Sequence, residues 1–238
     1  MFPPDIRAVL SVLSRLPYEN LSKAIARSLH GREEAAMADP LILLEEHRKN
    51  GTGGTCFSLT RFVCRYLKDR GHDVYPVLCD RVYGENTHCC AVMRLNGRKY
   101  VLDPGYLAFT PILLSDKTEV DTPFNSIILE KSAPDRYRLN TVYLKENKYR
   151  FTLKDSPAAD GEFLAAWRDS FTRESMNYPV VTMLRGNAHL YLQKESLYVR
   201  TREGSEKISV PREKLPEVLK DRFGISDLVT RKAAEIFS

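Results

Sequence analysis

Hydrophobic residues at the start of the chain recur at helical spacing. Ile6, Leu10, Leu13 and Leu16 fall three or four apart and predict a helix beginning at Pro4. The stretch Leu16-Pro17-Tyr18-Glu19-Asn20-Leu21 interrupts it, and a second helix follows to His30. Pro40 is placed like a first-turn proline and opens a third helix over LILLEEHRKN, which a glycine turn ends. Beyond Cys56 the apolar positions Leu59, Phe62, Val63, Tyr66 and Leu67 stand at i, i+3, i+4, i+7 and i+8, one stripe of an amphipathic helix capped by Gly71.

From Asp73 the period changes to two. DVYPVLCD, HCCAVMRL, RKYVLD, NSIILEK, YRLNTVYL and KYRFTLK read as strands, enough for an antiparallel sheet or small barrel. KDSPAADG reads as a linker, and GEFLAAWRDSFTRES as a helix after it. HLYLQ, SLYVRT and EKISV are strands, EKLPEVLKDRFG is a helix ended by Gly224, and DLVTRKAAEIFS is a terminal helix. The predicted class is α+β: a helical bundle over residues 1–72, a central antiparallel β-barrel or sheet over 73–160, and a C-terminal α/β lid over 161–238.

Composition narrows the function. With 43% hydrophobic and 28% charged residues, the 238-residue chain is ordinary globular material with a sizeable core. The net charge of +5 comes from 36 basic and 31 acidic residues scattered along the chain, which favours small anionic ligands over a nucleic-acid partner. No apolar run approaches the ~20 residues of a membrane span, and the first residues lack the pattern of a secretory leader. Five cysteines, with Cys89 and Cys90 adjacent, make no disulfide framework, so a reducing cytoplasm is the expected location.

Chemistry is expected where NGTGGTCFSL meets the hairpin HCCAVMRL-NG-RKYVLD. Asn96-Gly97 between alternating runs predicts a two-residue turn with Leu95 opposite Arg98. In that register Cys90 faces Asp103, and His88 lies diagonally on the same face, with Cα atoms roughly 7–8 Å apart, so a His88–Asp103 pair is predicted. Cys56 starts a helix, where unpaired backbone N–H groups favour a thiolate and a histidinium favours it further, to a pKa of roughly 3–4 in cysteine–histidine enzymes. Gly53 and Gly54 would let an acyl group approach the sulfur. The Cys56 N–H is a candidate oxyanion donor, and Asp103 would hold the His88 ring. Cys64 is read as core, and Cys90 as lining the site. Cys79, Cys89 and Cys90 lack zinc spacing, so no metal is expected; His30, His47, His72 and His189 are read as solvated surface.

These residues resemble the arylamine N-acetyltransferases, cysteine enzymes of the transglutaminase and papain-like superfamily. That family reads R-G-G-x-C-x-E, an isolated histidine, then V-D-V-G-F-G; here Thr52-Gly53-Gly54-Thr55-Cys56-Phe57-Ser58, His88 and Leu102-Asp103-Pro104-Gly105-Tyr106-Leu107 take those places. Leu16-Pro17-Tyr18-Glu19-Asn20-Leu21 is similar to I-P-F-E-N-L, and the C-terminal hairpin, helix and Phe223-Gly224-Ile225 are similar to the family's last domain. The resemblance implies a three-domain, cysteine-proteinase-like core, with Cys56, His88 and Asp103 as the triad and Gly105 at a coenzyme loop. It further implies ping-pong transfer from acetyl-CoA, or another acyl-CoA, to a small-molecule amine, with no permanently bound cofactor. An amidase or hydrolase on the same triad, or a scaffold without turnover, are the alternatives; oligomeric state is not readable. Thr52 and Ser58 replace the family's Arg and Glu together, leaving a neutral hydrogen bond in place of an ion pair. Leu107 replaces a glycine and is expected to obstruct a coenzyme phosphate.

Overall fold

The computed structural model describes residues 2–31, 37 and 39–237. Among these are seven α-helices and thirteen β-strands. Helices α1 (Pro4–Leu13), α2 (Leu21–His30), α3 (Leu43–Asn50) and α4 (Cys56–Lys68) form the N-terminal bundle. Burial follows the predicted stripes: Ile6, Val9, Leu10 and Leu13 of α1 meet Leu59, Phe62, Val63 and Leu67 of α4 in one core. Each such side chain removed from water contributes about 1.5–3 kcal/mol.

Two helix boundaries differ from the pattern. The third helix starts at Leu43, not Pro40, because Asp39 turns the chain first, its Oδ1 accepting from the Leu41 N–H at 2.9 Å. Gly71 lies beyond the Asp69 cap of α4, where its φ of +80° finishes the exit turn.

The central element is an eight-stranded antiparallel sheet in the order β5-β4-β3-β2-β9-β8-β7-β6. Its strands are β2 (Asp73–Arg81), β3 (Gly84–Leu95), β4 (Arg98–Asp103), β5 (Ala108–Leu113), β6 (Lys117–Asp121), β7 (Ser126–Ala133), β8 (Arg136–Tyr143) and β9 (Glu146–Lys154). Their inward side chains, from Val77 and Val92 to Leu139 and Phe151, share one core, so the sheet curls into a nearly closed barrel. The β3–β4 hairpin has the expected register, from Leu95 opposite Arg98 to Ala91 opposite Leu102. Strands β5 and β6 escape the period-two reading; Pro111 is tolerated because β5 is a sheet edge.

The segment read as a linker is tied down. Asp155 is buried against Lys99 Nζ at 2.7 Å, and the Ala158 N–H donates to the Pro76 carbonyl. Helix α5 (Asp160–Asp169) ends six residues before its predicted stop, where the Ser170 and Thr172 hydroxyls take the Trp167 and Asp169 carbonyls; a 3-10 turn at Glu174–Asn177 follows.

A five-stranded sheet in the order β1-β10-β11-β12-β13 completes the fold. It joins β1 (Tyr18–Glu19), from within the interrupting hexapeptide, to β10 (Val180–Arg185), β11 (Ala188–Gln193), β12 (Ser196–Arg200) and β13 (Ser205–Ser209). Helices α6 (Leu215–Phe223), ended by Gly224 at φ +72°, and α7 (Asp227–Ile236) pack with α2 against this sheet. No helix among the described residues is long and apolar enough to cross a membrane.

Candidate active site

The glycine turn is held from below by the hexapeptide. Glu19 is fully buried and accepts from the Ser22 hydroxyl at 2.6 Å, the Ser22 N–H at 2.8 Å and the Gly53 N–H at 3.2 Å. Burial raises its pKa against these hydrogen bonds, which lower it. A Cβ on Gly53 would stand 1.9 Å from the Pro17 carbonyl oxygen, and one on Gly54, at φ +154°, 2.2 Å from Ser58 Oγ. Both glycines are therefore needed for close packing of the turn.

This turn delivers Cys56 to the first position of α4, where its N–H has no intrahelical acceptor. Opposite it, His88 and Asp103 are both fully buried, with Nε2 donating to Asp103 Oδ2 at 3.0 Å. The other Asp103 oxygen accepts from the Gly105 and Tyr106 N–H groups at 2.9 and 3.2 Å, which fixes the carboxylate. The His88 ring lies between Phe151 and Tyr106, with centroids 4.7 and 5.2 Å away.

Gly105 sits among all three residues. A Cβ there would meet His88 Cε1 at 2.8 Å, Asp103 Oδ1 at 3.2 Å and Cys56 Cβ at 3.4 Å. Leu107 keeps the left-handed backbone of a glycine (φ +57°) and is buried, 3% exposed.

Two neighbours were not visible in the sequence. Cys89, rather than Cys90, is the cysteine that acts on the Cys56 thiol; Cys90 turns into the barrel, 3.8 Å from Cys79 Sγ. The Cys89 hydrogen bond is the largest influence holding the Cys56 thiol well below its ordinary pKa; burial opposes it, and a hydrogen bond and charge from His88 and the charge of Arg81 add to it. Cys89 itself is pushed well up by burial.

Arg81 is the second. A register shift between Cys79 and Arg81 re-aims its guanidinium, and Nη2 donates to His88 Nδ1 at 2.9 Å. Because guanidinium only donates, Nδ1 accepts and the ring is neutral in this arrangement. Burial opposes a charged ring, yet the Asp103 carboxylate raises the His88 pKa to about 9. The imidazolium form thus requires Arg81 to yield Nδ1 to the sulfur.

The remaining expectations divide. Cys64 is core, with burial raising its pKa to about 12. Thr52 and Ser58 do not bond each other: the Ser58 hydroxyl turns back to the Thr55 carbonyl, and both residues line a cavity of about 400 Å³ with Lys23, Trp167 and Leu228. His30 is exposed, while His47 and His72 are half-buried, against the Thr52 carbonyl and Asp5. His189 is buried, not solvated: its ring stacks on Phe124 with centroids 4.2 Å apart, and Nε2 meets Thr182 Oγ1 at 2.6 Å. No group of three or more potential ligands among the described residues is placed to hold a metal ion.

The family model described as N-acetyltransferase matches residues 6–232. Three solved structures illustrate the likeness of fold. The arylamine N-acetyltransferase of Mycobacterium abscessus is 18% identical, with a TM-score of 0.82 over 98% of this chain and 87% of that one. That of Mycobacterium marinum is 16% identical, with a TM-score of 0.81 over 98% and 92%. A third, from Bacillus cereus, is 19% identical, with a TM-score of 0.75 over 95% and 92%, and is described as having a Cys-His-Glu catalytic triad. No curated protein matches the chain by sequence.

Proposed function

The chain belongs to the arylamine N-acetyltransferase family, and from that premise we propose that it transfers an acyl group from a coenzyme A thioester to a small amine through a thioester on Cys56. The observation that carries this reading is a buried thiol at a helix start that meets His88 and Asp103 around one point, the place of a Cβ on Gly105, 3.4 Å from Cys56 Cβ, 2.8 Å from His88 Cε1 and 3.2 Å from Asp103 Oδ1.

In the first half, Cys56 gives its proton to His88 Nδ1 and the sulfur attacks the thioester carbonyl. The oxyanion takes a hydrogen bond from the Cys56 N–H, and collapse expels the coenzyme thiolate, which leaves with the proton from His88. In the second half, the amine attacks the cysteinyl thioester, its proton passes to Nδ1, and the amide forms as Cys56 departs as thiolate. Asp103 stabilises the imidazolium in both halves without itself being protonated. Cys89, whose thiol keeps its proton, donates to the sulfur whenever it is anionic.

Intact-mass spectrometry after mixing with acetyl-CoA tests the reading. One acetyl increment on the wild type, lost in Cys56→Ala and released as amide by an arylamine, is expected; the same increment in Cys56→Ala would overturn it.

A further inference from the structure

The cavity of about 400 Å³ behind the glycine turn has its polarity reversed, with apolar side chains at the mouth and polar ones inside. Leu29 of α2, Ile42 ahead of α3 and Leu228 of α7 line the mouth, yet are 66%, 45% and 57% exposed. Single exposed aliphatic side chains are ordinary, but three around one opening mark a surface that takes up apolar matter. At the inner end Lys23 lines the wall at 8% exposure, beside the buried Thr52, Thr55 and Ser58. Thr52 and Ser58 stand where the family motif has arginine and glutamate, and their shorter side chains leave this end open. Lys23 and Leu29 are six residues apart on α2, about 9 Å along its axis, so the cavity is long as well as two-ended.

Acyl transfer accounts for none of this, since Cys56, His88 and Asp103 are not in the cavity wall. Lys23 carries a buried charge that lacks a partner of opposite sign. Its Nζ donates to Ser170 Oγ at 2.5 Å and lies 4.1 Å from the Phe171 ring centroid, but no carboxylate among the described residues is within ion-pair distance. Glu46, the one acid among the described residues of the wall, is exposed and accepts from Asn50 Nδ2 at 2.8 Å. An ammonium has three donors and Ser170 takes one, so two remain for a ligand. Burial lowers the Lys23 pKa to about 8, as it does for a cation short of its counter-charge.

We propose that this cavity binds a straight-chain aliphatic carboxylate, a fatty acid of medium length, with its carboxylate on Lys23 and its tail running out over Leu29, Ile42 and Leu228. The carboxylate supplies the charge that Lys23 lacks, and the tail covers the apolar mouth. An uncharged chain does only the second, and a small anion only the first. The assignment is independent of the acyl-transfer reading.

Calorimetric titration of the full chain compares octanoate with octan-1-ol, which has the tail without the charge, and with butyrate, which is four methylenes shorter. Octanoate is expected to bind about tenfold more tightly than the alcohol and about a hundredfold more tightly than butyrate. Lys23→Met, which removes the charge and keeps an unbranched side chain, should erase the preference over the alcohol. Leu228→Glu, at an exposed position that bears little on folding, should weaken octanoate about tenfold. Cys56→Ala should bind octanoate as the wild type does. Equal affinity for octanoate and either control overturns the proposal. So does a Lys23→Met protein that keeps the preference, which would move the carboxylate to the mouth, or a Leu228→Glu protein that binds octanoate unchanged. Loss of binding in Cys56→Ala would put the chain at the triad and overturn it as well.

Discussion

Arg81 and Asp103 hold the two nitrogens of one imidazole: Arg81 Nη2 reaches His88 Nδ1 at 2.9 Å while Asp103 Oδ2 accepts from Nε2 at 3.0 Å. The guanidinium therefore competes with the Cys56 proton for the same lone pair, yet its charge also favours the thiolate. Arg81→Gln separates the two effects. With the cation gone, iodoacetamide alkylation of Cys56 at pH 6 should slow severalfold, and its midpoint should move to higher pH. An unchanged midpoint would mean that Arg81 does not act on the sulfur.

The thiol's own pH dependence follows from its depressed pKa. An ordinary cysteine loses reactivity tenfold per pH unit below about 8.5. Cys56 should stay reactive toward iodoacetamide well below neutrality, because its anion persists there. Peptide mapping should find the label on Cys56, with Cys64 unlabelled at the same pH because burial holds its pKa near 12.

Gly105 gives a steric test. An alanine methyl would overlap His88 Cε1 at 2.8 Å, so ring and sulfur must part. Gly105→Ala should lower the rate of Cys56 acylation about a hundredfold, since small misplacement of reacting groups carries costs of that order. Gly161→Ala, which meets nothing within 4 Å in α5, should leave the rate unchanged. Stopped-flow acylation distinguishes the two.

Acid stability should depend on His189. Burial, then the charges of Arg200 and Arg150, lower its pKa to about 3, so folded protein holds the ring neutral. The unfolded chain takes up that proton below about pH 6.5, and folding stability falls as pH drops from 6.5 toward 3, by about 1.4 kcal/mol per unit. Urea unfolding at pH 6.5 and pH 5 should show about 2 kcal/mol more loss for the wild type than for His189→Leu. Equal losses would mean that His189 is protonated in the fold.

How much of this was legible depends on how local the determinants are. The β3–β4 hairpin could be read because Asn96-Gly97 fixes register by arithmetic, and that register carries His88 toward Asp103. The α4 stripe was legible for the same reason: one period, one face. Arg81 was not, because a bulge between Cys79 and Arg81 re-aims it, and nothing in CDRVYG marks the bulge. Alternation along β3 says that Cys89 and Cys90 face opposite ways, but not which way α4 lies. His189 was misread because its burial comes from Phe124, a contact between barrel and last sheet that no local pattern encodes.

The pairing of Tyr18 with Thr182 and of Glu19 with Val181 has a consequence for biogenesis. Asn20 adds bonds to the carbonyls of Ser175 and Tyr178 and to the Val180 N–H, so the support beneath the glycine turn closes a loop of some 160 residues. Such a closure is slow and comes late. A nascent chain carries the sulfur long before its surroundings exist, and that sulfur matures only when strand β10 has left the ribosome.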